Sequence, residues 1–321
     1  MNPPTVSIIL PTFNRLQYLR PAVDSILAQS FADWELIIAD DGSDEETGAF
    51  LRTLTALPRV HVLWLSHTGR PAAVRNAALR EARGEFVAFM DSDDLWLPSK
   101  LDTQIRSLRS HRARKWAYTE FTLIDAAGDA RPGDRDARWP SPEGWIHEAL
   151  LRMDAIVAMP TVVACRSLVE HVGGFDQKLF TCEDYDMWLR LAARSEVDVI
   201  REPLVQIRRH AEHYADDITS LEGWRSVLEK TRGAGLERCM DSIVQGERAR
   251  VSSMLATRHA TCGNRGGLWQ TLLQSWPYSW RYRRWWLSAI AATARAYAPA
   301  SLRTAVRSYR RRVGARTGES S

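Results

Sequence analysis

The sequence predicts an α/β protein with a mostly parallel sheet flanked by helices and a helical C-terminal extension. Three observations predict it. Short β-branched apolar runs alternate with helically spaced segments four times within about ninety residues. Polar clusters follow three of those runs, and from about Thr219 onward the pattern is helical.

Val6 to Leu10 is the first strand, and Asn14 is expected to cap a helix whose apolar positions are Leu16, Leu19, Val23, Ile26 and Leu27. Glu35 to Ala39 is the second strand. Ser43 with Glu46 reads as a capping box for the next helix, and Val60 to Leu65 is the third strand. Pro71 suits the first turn of a helix running to about Arg83, and Phe86 to Met90 is the fourth strand. Repeated βα units put helices on both faces of a parallel sheet. Beyond Lys100 the alternation weakens, and Ala126 to Pro142, rich in Gly, Pro, Asp and Arg, reads as a loop. Order resumes between Met159 and Leu191, with the apolar run Val162 to Cys165, the turn Gly173-Gly174-Phe175-Asp176 and a helix opening near Glu183. Leu204 to Ile207 is strand-like again, and no internal repeat is present.

The chain has 321 residues, 45% hydrophobic and 26% charged, enough to bury the core of one large α/β domain plus an appendage. The start, MNPPTVSIILPTFNR, lacks a basic segment followed by a long apolar one, and no apolar run approaches the roughly 20 residues that span a bilayer. A cytoplasmic location is expected. Cys165, Cys182, Cys239 and Cys262 show no C-x-x-C spacing, so they read as reduced thiols rather than as a zinc ribbon or disulfide frame. The net charge of +4 conceals an asymmetry. From Arg248 to Gly318 there are 14 arginines and no lysine, aspartate or glutamate, whereas the rest carries 29 basic against 39 acidic residues. That tail suits an anionic surface.

In open α/β sheets ligands bind beyond the carboxyl ends of the strands. The residues there are Pro11-Thr12-Phe13-Asn14-Arg15, Asp40-Asp41-Gly42-Ser43-Asp44 and Asp91-Ser92-Asp93-Asp94, three clusters expected on one rim. Neither glycine-rich phosphate loop, G-x-G-x-x-G or G-x-x-x-x-G-K-[ST], is present, so a bound diphosphate would need a cation. Asp91 and Asp93 alternate after an apolar strand, which lets one carboxylate hold Mg²⁺ or Mn²⁺ while the other meets a sugar hydroxyl. An isolated D-x-D is equally a solvated turn. Asp-Gly is a common turn too, and Arg75 on its helix reads on spacing alone as solvated. Glu183, Asp184 and Asp186 in a first helical turn complement the helix dipole, yet a carboxylate beside Phe180, Tyr185 and Trp188 loses solvent and rises toward the range of a general base. His61, His67, His111 and His147 show no partner pattern, whereas His210 and His213 follow a strand-like run and two arginines.

The order of these pieces is more specific than any one of them. P-T-F-N-R, D-D-G-S-D, V-R-N-A-A-L, D-S-D-D, G-G-F-D, C-E-D-Y-D-M-W-L-R-L and R-R-H follow one another over about residues 5 to 215. The chain thereby resembles the family 2 glycosyltransferases of the GT-A fold, which are inverting and use nucleotide sugars. The resemblance implies a nucleotide-sugar-binding half over residues 1–110 and an acceptor-binding and catalytic half over 111–218; the helical pattern and composition beyond them mark a basic, tryptophan-containing helical region over 219–321. It implies that Pro11, Thr12 and Phe13 line the base and ribose site with Arg15 and Ser92 beside the donor. Asp41, with Asp40 next to it, would read the base and Arg75 support it. Asp91 would contact the ribose, Asp93 bind the Mn²⁺ or Mg²⁺ ion, His210 lie near metal and diphosphate, and Asp184 act as catalytic base. The Q-x-x-R-W motif and membrane helices of processive members are missing, so one sugar or a few, rather than a polymer, are the expected product.

The expected partners are a nucleotide-sugar donor, a glycan or lipid-linked acceptor and an anionic membrane surface met by the C-terminal region, with no nucleic acid. The expected setting is cell-surface polysaccharide synthesis at the inner face of the membrane. A nucleotidyltransferase would carry a glycine-rich loop after strand one, and Pro11 to Arg15 has no glycine. An inactive nucleotide-sugar-binding scaffold would tolerate loss of the Glu183-Asp184 pair, and both are present.

Overall fold

The first strand, β1 (Val6–Thr12), and its neighbour β2 (Trp34–Asp40) are apolar on both faces and buried along nearly their whole length. That two-sided burial is what a parallel sheet covered by helices requires. The computed structural model describes residues 3–130, 140–209, 217–232 and 238–297. They fall into two compact units, 1–214 and 215–321.

In the first unit the order continues with α1 (Leu16–Leu27) between β1 and β2, then α2 (Glu45–Leu54), β3 (Val60–Trp64), α3 (Pro71–Glu81) and β4 (Phe86–Phe89). The second half adds β5 (Leu95–Trp96), α4 (Lys100–Ser110), β6 (Trp116–Ile124), α5 (His147–Leu151), β7 (Val162–Cys165), α6 (Arg166–His171), α7 (Glu183–Ala192) and β8 (Val197–Arg208). One eight-stranded sheet results, ordered β3-β2-β1-β4-β7-β6-β8-β5. Four pairings are parallel (β1 with β2 and β4, β2 with β3, β6 with β8) and three antiparallel (β4 with β7, β6 with β7, β5 with β8). The parallel half is the one whose alternation is plain in the sequence. β6 is not plain there, because its first four residues are all buried and its middle ones half-buried, which erases any period of two.

Two expected caps are corrected. Asn14 does not cap α1; its backbone is left-handed at φ 49°, and its side-chain oxygen accepts the backbone N–H of Asp44 at 2.7 Å. Asp44, not Ser43, caps α2 by accepting from Thr47 N–H, while the Ser43 hydroxyl accepts from Asn14 N–H at 3.0 Å. The capping register is one residue later than the S-x-x-E spacing suggests, and the displaced polar groups lash the two loops together instead. The expected helix running to Arg83 ends at Glu81, and Arg83 turns to bind the buried Glu35 carboxylate.

Large side chains join the two halves of the sheet. Trp188 of α7 stacks on Trp116 with centroids 6.1 Å apart and tilts against Phe89 at 5.7 Å. This fastens the first turn of α7 over β4 and β6.

The second unit comprises α8 (Asp217–Arg232), α9 (Arg238–Thr261), α10 (Arg265–Ser279) and α11 (Arg283–Tyr297). Its core is built on Ala249, Ala256, Ala260, Ala289 and Ala292, small residues that let helices approach closely, with Leu268 and Trp285 filling the seam. Among the described residues no helix is long and apolar enough to cross a membrane.

Candidate active site

The register of the parallel strands sets the site. Thr12 pairs with Asp40, Ile9 pairs with Phe89, and Met90 N–H donates to Ile9, so β1, β2 and β4 end along one edge. The loops leaving that edge enclose a cleft of about 540 Å³, completed by the start of α3 and the start of α7. Pro11, Thr12, Phe13, Arg15, Asp41, Arg75, Asp91, Ser92, Asp93 and Asp184 all line it. Asp40 does not; it is buried behind the wall, and its carboxylate accepts Ser43 N–H at 3.2 Å. His210 and His213 lie outside the described residues.

One end of the cleft is aromatic and amide-rich. Phe13 stacks on His67 with centroids 4.1 Å apart. His67 Nδ1 is 3.2 Å from the Asp41 carboxylate, which also accepts the N–H groups of Thr68 and Gly69 at 2.8 and 2.9 Å. His67 carries no signal in the sequence because both partners come from other loops, 54 and 26 positions upstream. At the middle, Arg15 forms an ion pair with the buried Asp93. Asp94 is fully buried; its carboxyl accepts Arg208 N–H at 2.8 Å while Arg208 Nε donates to the Asp93 carbonyl at 2.9 Å. Burial, with Asp93 and Asp91 nearby, pushes the Asp94 carboxyl well above the ordinary range.

The opposite end holds the acid pair. Cys182 precedes α7 in a left-handed conformation at φ 61°, which turns Glu183 and Asp184 into the cleft. Arg75 is buried and donates to Glu183 Oε1 at 2.7 Å and to Asp91 Oδ1 at 2.8 Å. Burial disfavours its charge, but these two carboxylates outweigh it and raise the guanidinium above the usual arginine range. Arg75 thus ties α3 to the acid pair and the D-x-D loop rather than to Asp41. Burial first, then the Glu183 charge, pushes the Asp184 carboxyl up to about 7, although Tyr185 N–H donates to it at 2.7 Å. Asp186 is buried elsewhere, in a pair with Arg190, and takes no part. Asn76, next to Arg75, exchanges hydrogen bonds with both backbone groups of Phe175, at 2.7 and 2.9 Å. Gly174 makes this approach feasible: its φ is +68°, and a Cβ there would lie 2.8 Å from the Asn76 side-chain oxygen. Phe180, 65% exposed, stands at the mouth beside the pair.

Five carboxylates (Asp41, Asp91, Asp93, Glu183, Asp184) and three guanidiniums (Arg15, Arg70, Arg75) line the cleft. An anionic diphosphate would enter a site already negative, so it calls for an added cation. No cluster of three or more metal-ligating side chains occurs among the described residues. The donors present nonetheless fit a hard divalent ion, which takes one or two carboxylates and completes its shell with phosphate and water. Asp93 offers a buried carboxylate open to the cleft, balanced by an arginine whose side chain is about a third exposed and can move aside.

The edge of the parallel strands, a negative cleft with a D-x-D loop and a raised carboxyl at the start of α7 make up the site of a group-transfer enzyme. The family model of glycosyl transferase family 2 matches residues 7–116. TuaG of Bacillus subtilis (strain 168), a glycosyltransferase assigned to teichuronic acid biosynthesis, is 34% identical over 190 residues, covering 59% of this chain and 72% of TuaG. The Escherichia coli UDP-Glc:alpha-D-GlcNAc-diphosphoundecaprenol beta-1,3-glucosyltransferase WfgD is 29% identical over 195 residues, covering 61% and 72%. Among solved structures, S. aureus TarS in complex with UDP-GlcNAc superposes with TM-score 0.58 at 20% identity over 81% of this chain and 73% of that one. The mannosyltransferase PcManGT from Pyrobaculum calidifontis, in complex with GDP-Man and Mn²⁺, gives 0.57 at 19% over 92% and 86%. The chain belongs to glycosyltransferase family 2, with the GT-A fold, and is a glycosyltransferase.

Proposed function

We propose that this enzyme transfers a sugar, with inversion, from a nucleotide diphosphate sugar to an acceptor hydroxyl in the synthesis of a cell-surface polysaccharide. The observation that carries the reading is the opposition, across one cleft, of the Asp91–Asp93 loop and an Asp184 carboxyl raised to about 7. Asp184 takes the proton of the acceptor hydroxyl as its oxygen attacks the anomeric carbon; the bond from that carbon to the diphosphate oxygen breaks on the opposite side. Asp41 and the Phe13–His67 stack hold the nucleoside, and Asp91 the ribose. Arg75 bridges Asp91 and Glu183, and Asp184 beside them is the carboxyl raised to about 7. Asp93 would hold a Mn²⁺ or Mg²⁺ ion, with His210 as a further ligand, and the ion would supply positive charge to balance the departing diphosphate. UDP, UDP-GlcNAc and GDP-Man in the related structures support a nucleotide-sugar donor, and the diphosphoundecaprenol in WfgD's name supports a lipid-linked glycan acceptor at the inner face of the membrane. The test is nucleotide release from UDP-, GDP- and dTDP-sugars in Mn²⁺, with and without acceptor and EDTA. Release from at least one donor, lost with EDTA, is expected; no turnover or binding of any donor refutes the reading, and full activity in EDTA refutes its metal.

A further inference from the structure

α10 and α11 each bury one side and leave a second apolar side uncovered. On α10, Leu268, Thr271, Leu272, Ser275 and Ser279 face the core, while Trp269, Leu273, Trp276 and Trp280 recur on the exposed side at spacings of four, three and four. On α11, Trp285, Ala289, Ala292 and Ala296 are buried, and Trp286, Leu287 and Ile290 are exposed. The two exposed sides adjoin in a groove of about 570 Å³ lined by Trp269, Leu273, Trp276, Trp286 and Ile290. Leu273 is 71% and Ile290 63% exposed, an arrangement water does not favour without a partner. The rings are not loosely held: Trp276 meets Trp286 edge-on at 4.9 Å, and Trp286 Nε1 donates to the Trp280 carbonyl.

Charge selects the occupant. Exposed arginines stand at both ends of the α10–α11 pair: Arg265 over the Tyr297 ring at one, and Arg281 in the joining turn with Arg283 and Arg284 in the first turn of α11 at the other. Between Arg248 and Tyr297 there are eight arginines and no acidic residue. A second copy of the chain would bring these like charges together, whereas an anionic lipid leaflet offers phosphates at the level of the arginines and hydrocarbon at the level of the rings.

We infer that the α10–α11 face is the surface by which the protein docks on the anionic leaflet of a bilayer, with its tryptophans and aliphatics at the acyl boundary and its arginines among the headgroups. This deepens the proposed location at the membrane face and rests on it, but not on the assignments of Asp93 or Asp184.

The test is sedimentation of the full chain with vesicles of phosphatidylcholine alone and of equimolar phosphatidylcholine and phosphatidylglycerol, with tryptophan quenching by brominated acyl chains. Binding to the anionic vesicles with quenching is expected, weakened by salt. Arg281→Gln/Arg283→Gln/Arg284→Gln lowers the partition coefficient on the order of a hundredfold, and Leu273→Glu/Ile290→Glu lowers it at least as much. All five side chains are exposed, so helix content by circular dichroism stays unchanged. Absence of binding to either vesicle overturns both the docking face and the peripheral location. Anionic binding that both variants retain, or that shows no quenching, overturns the face alone and assigns attachment to other residues such as 298–321. A lipid-free dimer broken by the glutamate pair makes a second copy the occupant and also overturns it. Donor turnover in the soluble fraction tests the transferase reading separately.

Discussion

Replacing Asp184 by asparagine separates two consequences of one half-buried carboxyl. Its value of about 7 against an ordinary 3.8 means that the fold holds the ionised form at a cost of about 1.4 kcal/mol per unit, or about 4 kcal/mol in all. Solvent reaching the half-buried side chain lowers this to about 2 kcal/mol. Asparagine keeps an oxygen for the Tyr185 N–H and removes the charge. Because the folded value is raised, wild type has no penalty below about pH 4, where both states are protonated. The penalty grows as pH rises and is complete above about 7. Asp184→Asn should therefore match wild type near pH 4 and exceed it by about 2 kcal/mol at pH 8, a gain of roughly 4–8 °C in Tm for a unit of this size. Its kcat should fall by about 10² or more with donor affinity kept. Calorimetry at several pH values with steady-state kinetics and donor titration provides the assay. A variant less stable than wild type at pH 8, or one that loses donor binding with kcat, refutes the view of Asp184 as a desolvated base.

The same carboxyl should place an acidic limb near pH 7 in wild-type kcat/KM, activity rising as the carboxylate forms; a profile flat from pH 5 to 8 excludes it. Arg75→Met leaves Asp91 and Glu183 facing each other without a counter-charge and should cost about 3–5 kcal/mol by urea denaturation. Asp93→Ala should abolish transfer and Mn²⁺-dependent donor binding together in calorimetric titration, while leaving Tm within a few degrees. Gly174→Ala must strain a left-handed residue and push Asn76 aside, so about 1–3 kcal/mol should be lost, with Asn76→Ala adding little on top of it in a double-mutant cycle.

How much of this could be read in advance depended on range. The strands β1 to β4 and the clusters after them are local: each is a short apolar run followed within five residues by polar ones, and parallel register then brings their ends to one edge. The acid pair is local as well, since Glu183 and Asp184 open a helix with its own apolar stripe. Contacts between segments far apart in the chain escaped. His67 against Phe13, Arg75 between Asp91 and Glu183, and Asn76 against Phe175 each join segments 16 to 108 residues apart, and no periodicity encodes them. The caps of α1 and α2 failed for the same reason: Asn14 and Ser43 satisfy each other's loops across 29 or 30 positions instead of their own helices.

Arg208 closes the last strand by binding the backbone of Asp93 with its side chain and the carboxyl of Asp94 with its N–H, and by reaching the carbonyls of Asp125 and Ala126. The chain therefore leaves β8 from a point pinned to the D-S-D-D loop. For anyone building chimeras, that pin fixes the junction: every described residue that lines the cleft lies upstream of it, so a segment taken after His210 is the one to exchange between relatives, with the chain still leaving β8 from the same place beside Asp93.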